Sequence, residues 1–389
     1  MDCIFTLYPE VLIWCDPNRV VLYNSKKHKS LVFSSDSSLS SKLRRLTEID
    51  MMYSFHFDDT DMEMTFSLEK LQKDDFGIIN ADNQYTLPPK LCIINNWDNI
   101  TQGERQFSAD VLSYLLSVSI QLGGSNSDIE SYHCQTDYPI SGNQVIDYSS
   151  VMRFLTSLSF AHVKELNLIL SGLDTYDDIL AIIEKAKSSC AKTTLFLKDN
   201  EINSRLFTKI LDIINVKLIH NIRGDVILPN RTYDNVSHVF LIESEDSFAR
   251  YSSYCTSIGK EKCELIPVFN GRNERFVKEQ VFLTEKEILN SRLDMRHIFM
   301  HQVLNTFYFG HLSVLPDGSV FSNNLTDRIG TIEDSLYTLI INAMNDENGW
   351  RKTRKVNGCG ICAFVDLCPS PHVLEQMIGV SCICKDYLR

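Results

Sequence analysis

Five of the twelve cysteines in this chain fall in its last 31 residues: Cys359, Cys362, Cys368, Cys382 and Cys384. The first three form Cys359-x2-Cys362-x5-Cys368. A CxxC turn lets two thiolates converge on one metal without strain, and Cys368 can return after a short loop. A fourth thiolate can come from Cys382 or Cys384. Four thiolates suit either a tetrahedral Zn2+ or an iron–sulfur cluster. Gly358 and Gly360 relax the backbone around the first ligand. Pro369 and Pro371 stiffen the exit from the third. The basic run RKTRK (351–355) precedes the site and offsets part of the negative charge of a tetrathiolate. Five unliganded thiols in a loose tail are the bland alternative, and the compact spacing disfavours it. The other seven cysteines (Cys3, Cys15, Cys92, Cys134, Cys190, Cys255, Cys263) are scattered and read as small buried hydrophobes.

Other residues could in principle do chemistry, and each has a plainer reading. His133 and Cys134 could pair as base and nucleophile, but adjacent residues rarely face each other and no third, orienting group is evident. Gly123-Gly124 follows a strand, yet no GxGxxG or GxxxxGK[ST] pattern follows it. His297 and His301 have i, i+4 spacing without the HExxH context, so an ordinary helix is expected. The acidic pairs Asp58-Asp59 and Asp177-Asp178 read as solvated faces or helix starts.

The elements that must position the cysteines come next. The chain has 389 residues, which implies two or three domains. Its formal net charge of −12 argues against a nucleic-acid-binding surface. No apolar run reaches the length of a membrane helix, so no membrane partner is expected. The start, MDCIFTLYPEVLIWCD, lacks the basic opening and cleavage site of a signal peptide. A cytoplasmic location is therefore expected, where a cysteine cluster is a metal site more often than a disulfide framework.

Residues 1–76 read as short strands at 11–16, 20–25, 31–34 and 53–57 with helices at 37–46 and 66–73, which suits a small winged-helix-like domain. Residues 77–107 are rich in Asn, Asp, Pro and Gln and read as a connector. From 108 to 305 strands and helices alternate. Strands are expected at 118–122, 166–170, 193–197, 216–220, 239–242 and 264–269, and helices at 149–160, 177–187, 204–214 and 246–254. Such alternation implies an α/β fold with a parallel sheet, either an open sheet or a partial barrel. Residues 306–389 open with a hairpin turning at Pro316-Asp317-Gly318, then a strand-to-helix segment at 328–344, then the cysteines.

These residues in this order resemble a SPASM domain, the auxiliary iron–sulfur domain of many peptide-modifying radical SAM enzymes. PDGSVFS matches its hairpin, Gly330-Thr331-Ile332 its GNI segment, and CxxC-x5-C its ligand set. Ser322 and His372 stand where the family has two further cysteines. The resemblance therefore implies one retained [4Fe-4S] cluster on Cys359, Cys362, Cys368 and Cys384, with Cys382 as the alternative fourth ligand. The middle segment resembles a degenerate radical-SAM-like partial (β/α)6 barrel. Where the family has CxxxCxxC, GGSNSDIESYHCQTDY holds only Cys134, and one thiolate cannot hold a site-differentiated cluster. Where the family has a GGE motif, Ser171-Gly172-Leu173-Asp174 stands. Two parts of one site are lost, so S-adenosylmethionine is not expected and no catalytic residue is assigned. LYPEVLIW, VVLYN and LCPSPHVLEQMIG resemble pseudo-radical-SAM proteins of Bacteroidales-type ribosomal-peptide maturation. That implies a ribosomal precursor peptide as partner, captured by residues 1–76, together with a partner maturation enzyme. An enzyme of unknown reaction that binds substrate on its auxiliary cluster, and a zinc-stabilised structural module, are the alternatives.

Overall fold

The computed structural model describes residues 2–47, 53–80, 111–124, 132, 135–136, 144–176, 178–220, 233–323, 325–354, 357–380 and 382–387. His133, Cys134, Cys92 and Asp177 lie outside the described residues, as does most of the expected connector.

The N-terminal part has six short strands: β1 (Asp2–Leu7), β2 (Val11–Cys15), β3 (Arg19–Asn24), β4 (Lys29–Ser34), β5 (Ser54–Asp58) and β6 (Gly77–Asn80). They form two antiparallel sheets, β5-β1-β6 and the meander β2-β3-β4. Helices Ser38–Arg45 and Met62–Lys73 pack on them. Both begin at an N-cap side chain, Ser37 or Asp61, that accepts from a first-turn backbone amide. The sheet takes in Gly77–Asn80, which reads as connector in the sequence. Gly77 makes that pairing fit, because a Cβ there would meet the Phe5 ring at 2.5 Å. The run Val20-Val21-Leu22-Tyr23 is wholly buried because the meander is covered on both faces. Val20 and Leu22 face the N-terminal core with Phe5, Leu43 and Leu68. Val21 and Tyr23 face the C-terminal tail.

A nine-stranded sheet makes up the rest, in the order β12-β11-β10-β9-β8-β7-β13-β14-β15. Its strands are β7 (Ser117–Gly123), β8 (Glu165–Leu170), β9 (Lys192–Lys198), β10 (Asn215–His220), β11 (Val236–Ile242), β12 (Cys263–Pro267), β13 (His311–Val314), β14 (Ser319–Phe321) and β15 (Arg328–Thr331). β7 to β12 run parallel, and β13 joins β7 in parallel before the β13–β14–β15 hairpins close the far edge. The mixed α/β class with a parallel sheet is as the sequence implies. The hairpin of the tail continues the central sheet instead of starting a separate one. Helix 204–214 shortens to Phe207–Leu211, because Asp199–Asn203 coils into a 3-10 turn and Ser204 donates to Asp174 at 2.6 Å.

Alternation decides the faces. Val118, Ile120, Leu122, Leu166 and Leu168 join the helix-covered core. Ile169, Phe196, Ile219, Leu241 and Val268 point the other way and pack with Tyr132. Side chains from β7, β8, β9, β10, β12 and β13 line one cavity on that second face, so the sheet is curled and this face is concave.

On the helix side, His220 and His238 stack at 5.0 Å, with Nε2 and Nδ1 2.8 Å apart and Asp199 3.3 Å from His220 Nδ1. Burial, helped by His220 and Lys262, lowers His238 from 6.5 to about 4. The unfolded chain takes up this proton near pH 6.5 and the folded chain does not. Stability is therefore full above pH 6.5 and falls as pH drops toward 4. Urea midpoints measured over this interval should show that decline, and His238→Asn should flatten it. An unchanged slope in the variant would refute the assignment.

Candidate metal centre

The cysteine tail is held between two supports. Helices Glu285–Asn290 and Met295–Val303 stand on one side and the meander β2-β3 on the other. Leu12, Val21 and Tyr23 pack with Ile288, Ile298, Ala363, Phe364, Leu367, Cys368 and Cys384 in one buried cluster. Asp366 anchors the segment by polar contacts. Its carboxylate accepts from Trp14 Nε1 at 2.9 Å and from Gln302 Nε2 at 2.7 Å, and its carbonyl lies 2.9 Å from His301 Nδ1. His297 turns outward to Asp294 at 2.8 Å, so the i, i+4 histidines serve an ordinary helix. The Arg19 guanidinium stacks over Phe364 at 4.7 Å and pairs with Glu285.

Within this frame Cys359, Cys368 and Cys384 are buried, at 6%, 5% and 3% exposure, and Cys362 and Cys382 are half-buried. The thiols of Cys359 and Cys382 are hydrogen-bonded to each other. That bond favours the ionised form of Cys382 and, with burial, raises Cys359. Burial raises Cys368, whose neighbours include Arg354 and the thiols of Cys362, Cys382 and Cys384. Backbone amides point at two of the sulfurs: Phe364 N–H at Cys362 Sγ, 3.5 Å, and Cys384 N–H at Cys382 Sγ, 3.3 Å. Cys384 also forms a trio with Glu285 and Asp386 whose ligand atoms lie within 4.8 Å of one another. Among the expected ligands, then, Cys382 turns toward Cys359, and Cys384 turns partly toward carboxylates.

Arg354, from the basic run before the site, is buried at 3% exposure. It grips Glu375 through two bonds of 2.6 and 2.8 Å, and donates to the carbonyls of Pro369 at 2.6 Å and Ser370 at 3.2 Å. Its positive charge opposes the upward shifts of Cys359 and Cys368. Among the described residues no three of these sulfurs lie within 4.8 Å of one another, so they stand wider apart than the ligands of one tetrahedral zinc ion; the five thiols, two N–H···S contacts and a buried cation are the groups a larger thiolate-held cluster would use. Charge in the sequence pointed to the run, but nothing local singled out Arg354 or its partner Glu375.

Ser322 and His372, where the resemblance expects cysteines, have other work. Ser322 is buried and donates to Asp346. His372 caps helix Val373–Ile378, with its ring nitrogen accepting from Leu374 N–H and Glu375 reaching back to its backbone amide. Gly124 is also explained without a ligand. Its φ of 99° and a Cβ that would sit 2.1 Å from the Ser171 carbonyl mark a close approach of the β7 and β8 ends. Glu201 accepts from the amides of Gly172 and Leu173 at 2.8 and 2.9 Å, so the loop after β8 is occupied by an internal carboxylate.

No protein-family model and no curated protein matches the sequence. Solved structures do align with it. SuiB of Streptococcus suis bound to S-adenosylmethionine is 10% identical, covers 98% of this chain and 100% of its own, and has a TM-score of 0.39. Native anSMEcpe with bound AdoMet is 13% identical over 65% of this chain and 88% of its own, with a TM-score of 0.39. BtrN in complex with AdoMet and 2-DOIA is 10% identical over 65% of this chain and 92% of its own, with a TM-score of 0.35. All three are distant, and the activity of this chain is read from its own residues. Among the described residues no helix is long and apolar enough to cross a membrane.

Proposed function

We propose that this chain is a non-radical scaffold of ribosomal-peptide maturation: a degenerate radical-SAM-like open barrel whose SPASM-like tail holds one [4Fe-4S] cluster on Cys359, Cys362 and Cys368, with Cys384 or Cys382 as the fourth ligand. The cluster stabilises the tail, and a precursor peptide, together with a maturation enzyme, is the partner.

One observation carries the non-radical part. At the carboxyl ends of the central strands, where the resemblance would place S-adenosylmethionine, the concave face is filled. Tyr132, Ile169, Phe196, Ile219, Leu241 and Val268 close it with apolar packing, and the Tyr132 hydroxyl donates to Glu243 at 3.1 Å. Glu201 takes the amides of the neighbouring loop. A cofactor there would have to displace a packed core.

Reconstituted protein incubated with S-adenosylmethionine and a strong reductant is expected to release no 5′-deoxyadenosine. Release above a no-protein control would overturn the reading. The leader of the precursor is expected to add as a strand to an edge of the N-terminal sheets, where main-chain bonds supply affinity. The basic turn Lys26-Lys27-His28-Lys29 favours an acidic peptide. Titration of an acidic leader into the full chain should give saturable binding, about tenfold weaker for Lys26→Glu/Lys27→Glu. Unchanged affinity in that variant would move recognition away from this turn.

A further inference from the structure

The concave face is not filled along its whole length. At the amino ends of the strands it opens into a cavity of about 420 Å³, within the usual range for ligand sites. A barrel that serves only as support fills its interior with branched apolar side chains. Here the inward positions of this end are short and polar. Ser117 bonds His311 at 2.8 Å, His311 reaches Ser313 at 3.1 Å, and Asn167 donates to Ser119 at 3.3 Å. Ser119 and Ser313 are buried in this floor, and Ser117, Asn167 and His311 are half-buried beside the cavity.

The charges around the mouth are unequal. Lys192 pairs with Glu165, and Lys217 pairs with Glu264 at 3.0 Å. Lys164 lines the same cavity, and among the described residues no carboxylate pairs with it. The walls are aromatic: Phe196 lies beneath Lys217 at 5.3 Å, and Phe309 and the 49%-exposed Phe307 flank the opening.

We infer that this amino-end cavity binds a monocarboxylate with an apolar or aromatic body, its carboxylate at Lys164 and its body against Phe196, Phe307 and Phe309. One surplus cation matches one anionic group, and the polar floor supplies further donors. Two sources share this chemistry: a free or N-acylated amino acid, and the C-terminus of a peptide. The site lies at the amino ends of the strands and borders the apolar plug at Phe196. It stands independently of the metal, so failure of the leader or S-adenosylmethionine experiments leaves it untouched.

Calorimetric titration of the full chain tests it with four probes: N-acetyl-phenylalanine, its amide, and a hexapeptide ending in Phe with a free or an amidated C-terminus. Each acid is expected to bind at least tenfold more tightly than its amide. Binding of the acid of N-acetyl-phenylalanine alone identifies a small-molecule site, and binding of both acids identifies a peptide end. Lys164→Ala should weaken the acids about tenfold and leave the amides unchanged. Asn167→Leu should remove a polar group from the floor and weaken the acids at least tenfold without lowering the melting temperature. Equal binding of acid and amide, no binding by any probe, or full binding by Asn167→Leu would overturn the inference.

Discussion

Purified Cys368→Ala protein is expected to carry no tetrathiolate-bound metal and to melt far below the parent chain. Cys368 is the most enclosed of the three spaced cysteines, sits in the apolar cluster shared by the meander and helices, and has the other thiols and Arg354 around it. Metal binding to such a site is folding free energy, since the unfolded chain has no preformed ligand set. The loss should reach several kcal/mol, beyond the 2 kcal/mol or so that trimming one buried sulfur would cause. Cys255→Ala is the control, because Cys255 is equally buried at 5% exposure but packs near Phe240 and Tyr251. It should keep the metal. Iron, zinc and sulfide analysis of anoxically purified protein reads the result, and an iron cluster is brown where zinc is colourless. Parent-level metal in Cys368→Ala would refute the site outright.

Glu375→Ala should be nearly as damaging, although Glu375 is no ligand. Its carboxylate holds the buried Arg354 by two bonds and also accepts from the His372 amide. Removing it leaves a guanidinium buried without its counter-charge, a loss of about 3–5 kcal/mol. It also loosens the cation beside Cys359 and Cys368. Groups that support metal ligands in this way typically change affinity about 10–100-fold. The double variant Arg354→Met/Glu375→Met separates the two effects. Stability should largely return, because an apolar pair replaces a charged one, while metal affinity stays low because the cation is gone. If the double variant regained metal affinity as well, Arg354 would be a packing residue only.

How much of this was legible in the sequence depends on range. The strands at 118–122, 166–170, 193–197 and 216–220 are short apolar runs between helical periods, and they stand within a residue or so of where those runs fall. β1 was missed, since DCIFTL lies at the chain start with no turn before it to mark it as a strand. β6 was absorbed into the polar stretch that follows, because four residues cannot display a period. At the centre, the CxxC-x5-C spacing is local and therefore visible. The partners that hold it are not: Trp14 reaches Asp366 and Arg354 reaches Glu375 across stretches that carry no periodic signal. The same holds for Glu285 and Asp386 beside Cys384. The polar amino-end cavity was equally hidden. Its residues come from six strands and from the loops before β7, β8 and β13, and alternation assigns the strand residues to a face without saying what the face encloses.

The packing of β2 and β3 against the tail also sets a schedule for synthesis. Leu12, Val21 and Tyr23 leave the ribosome long before the residues that cover them, Ala363, Phe364 and Leu367. For most of translation the meander shows an apolar face with no cover, and such faces invite wrong pairings and chaperone capture. Contacts so far apart in the chain also form slowly. The tail can complete that cover only once it has emerged, so under the proposed function metal loading and closure of the N-terminal strands belong to the same event. On that reading, a cell short of the metal accumulates chains whose N-terminal strands, as well as the tail, remain open to proteases.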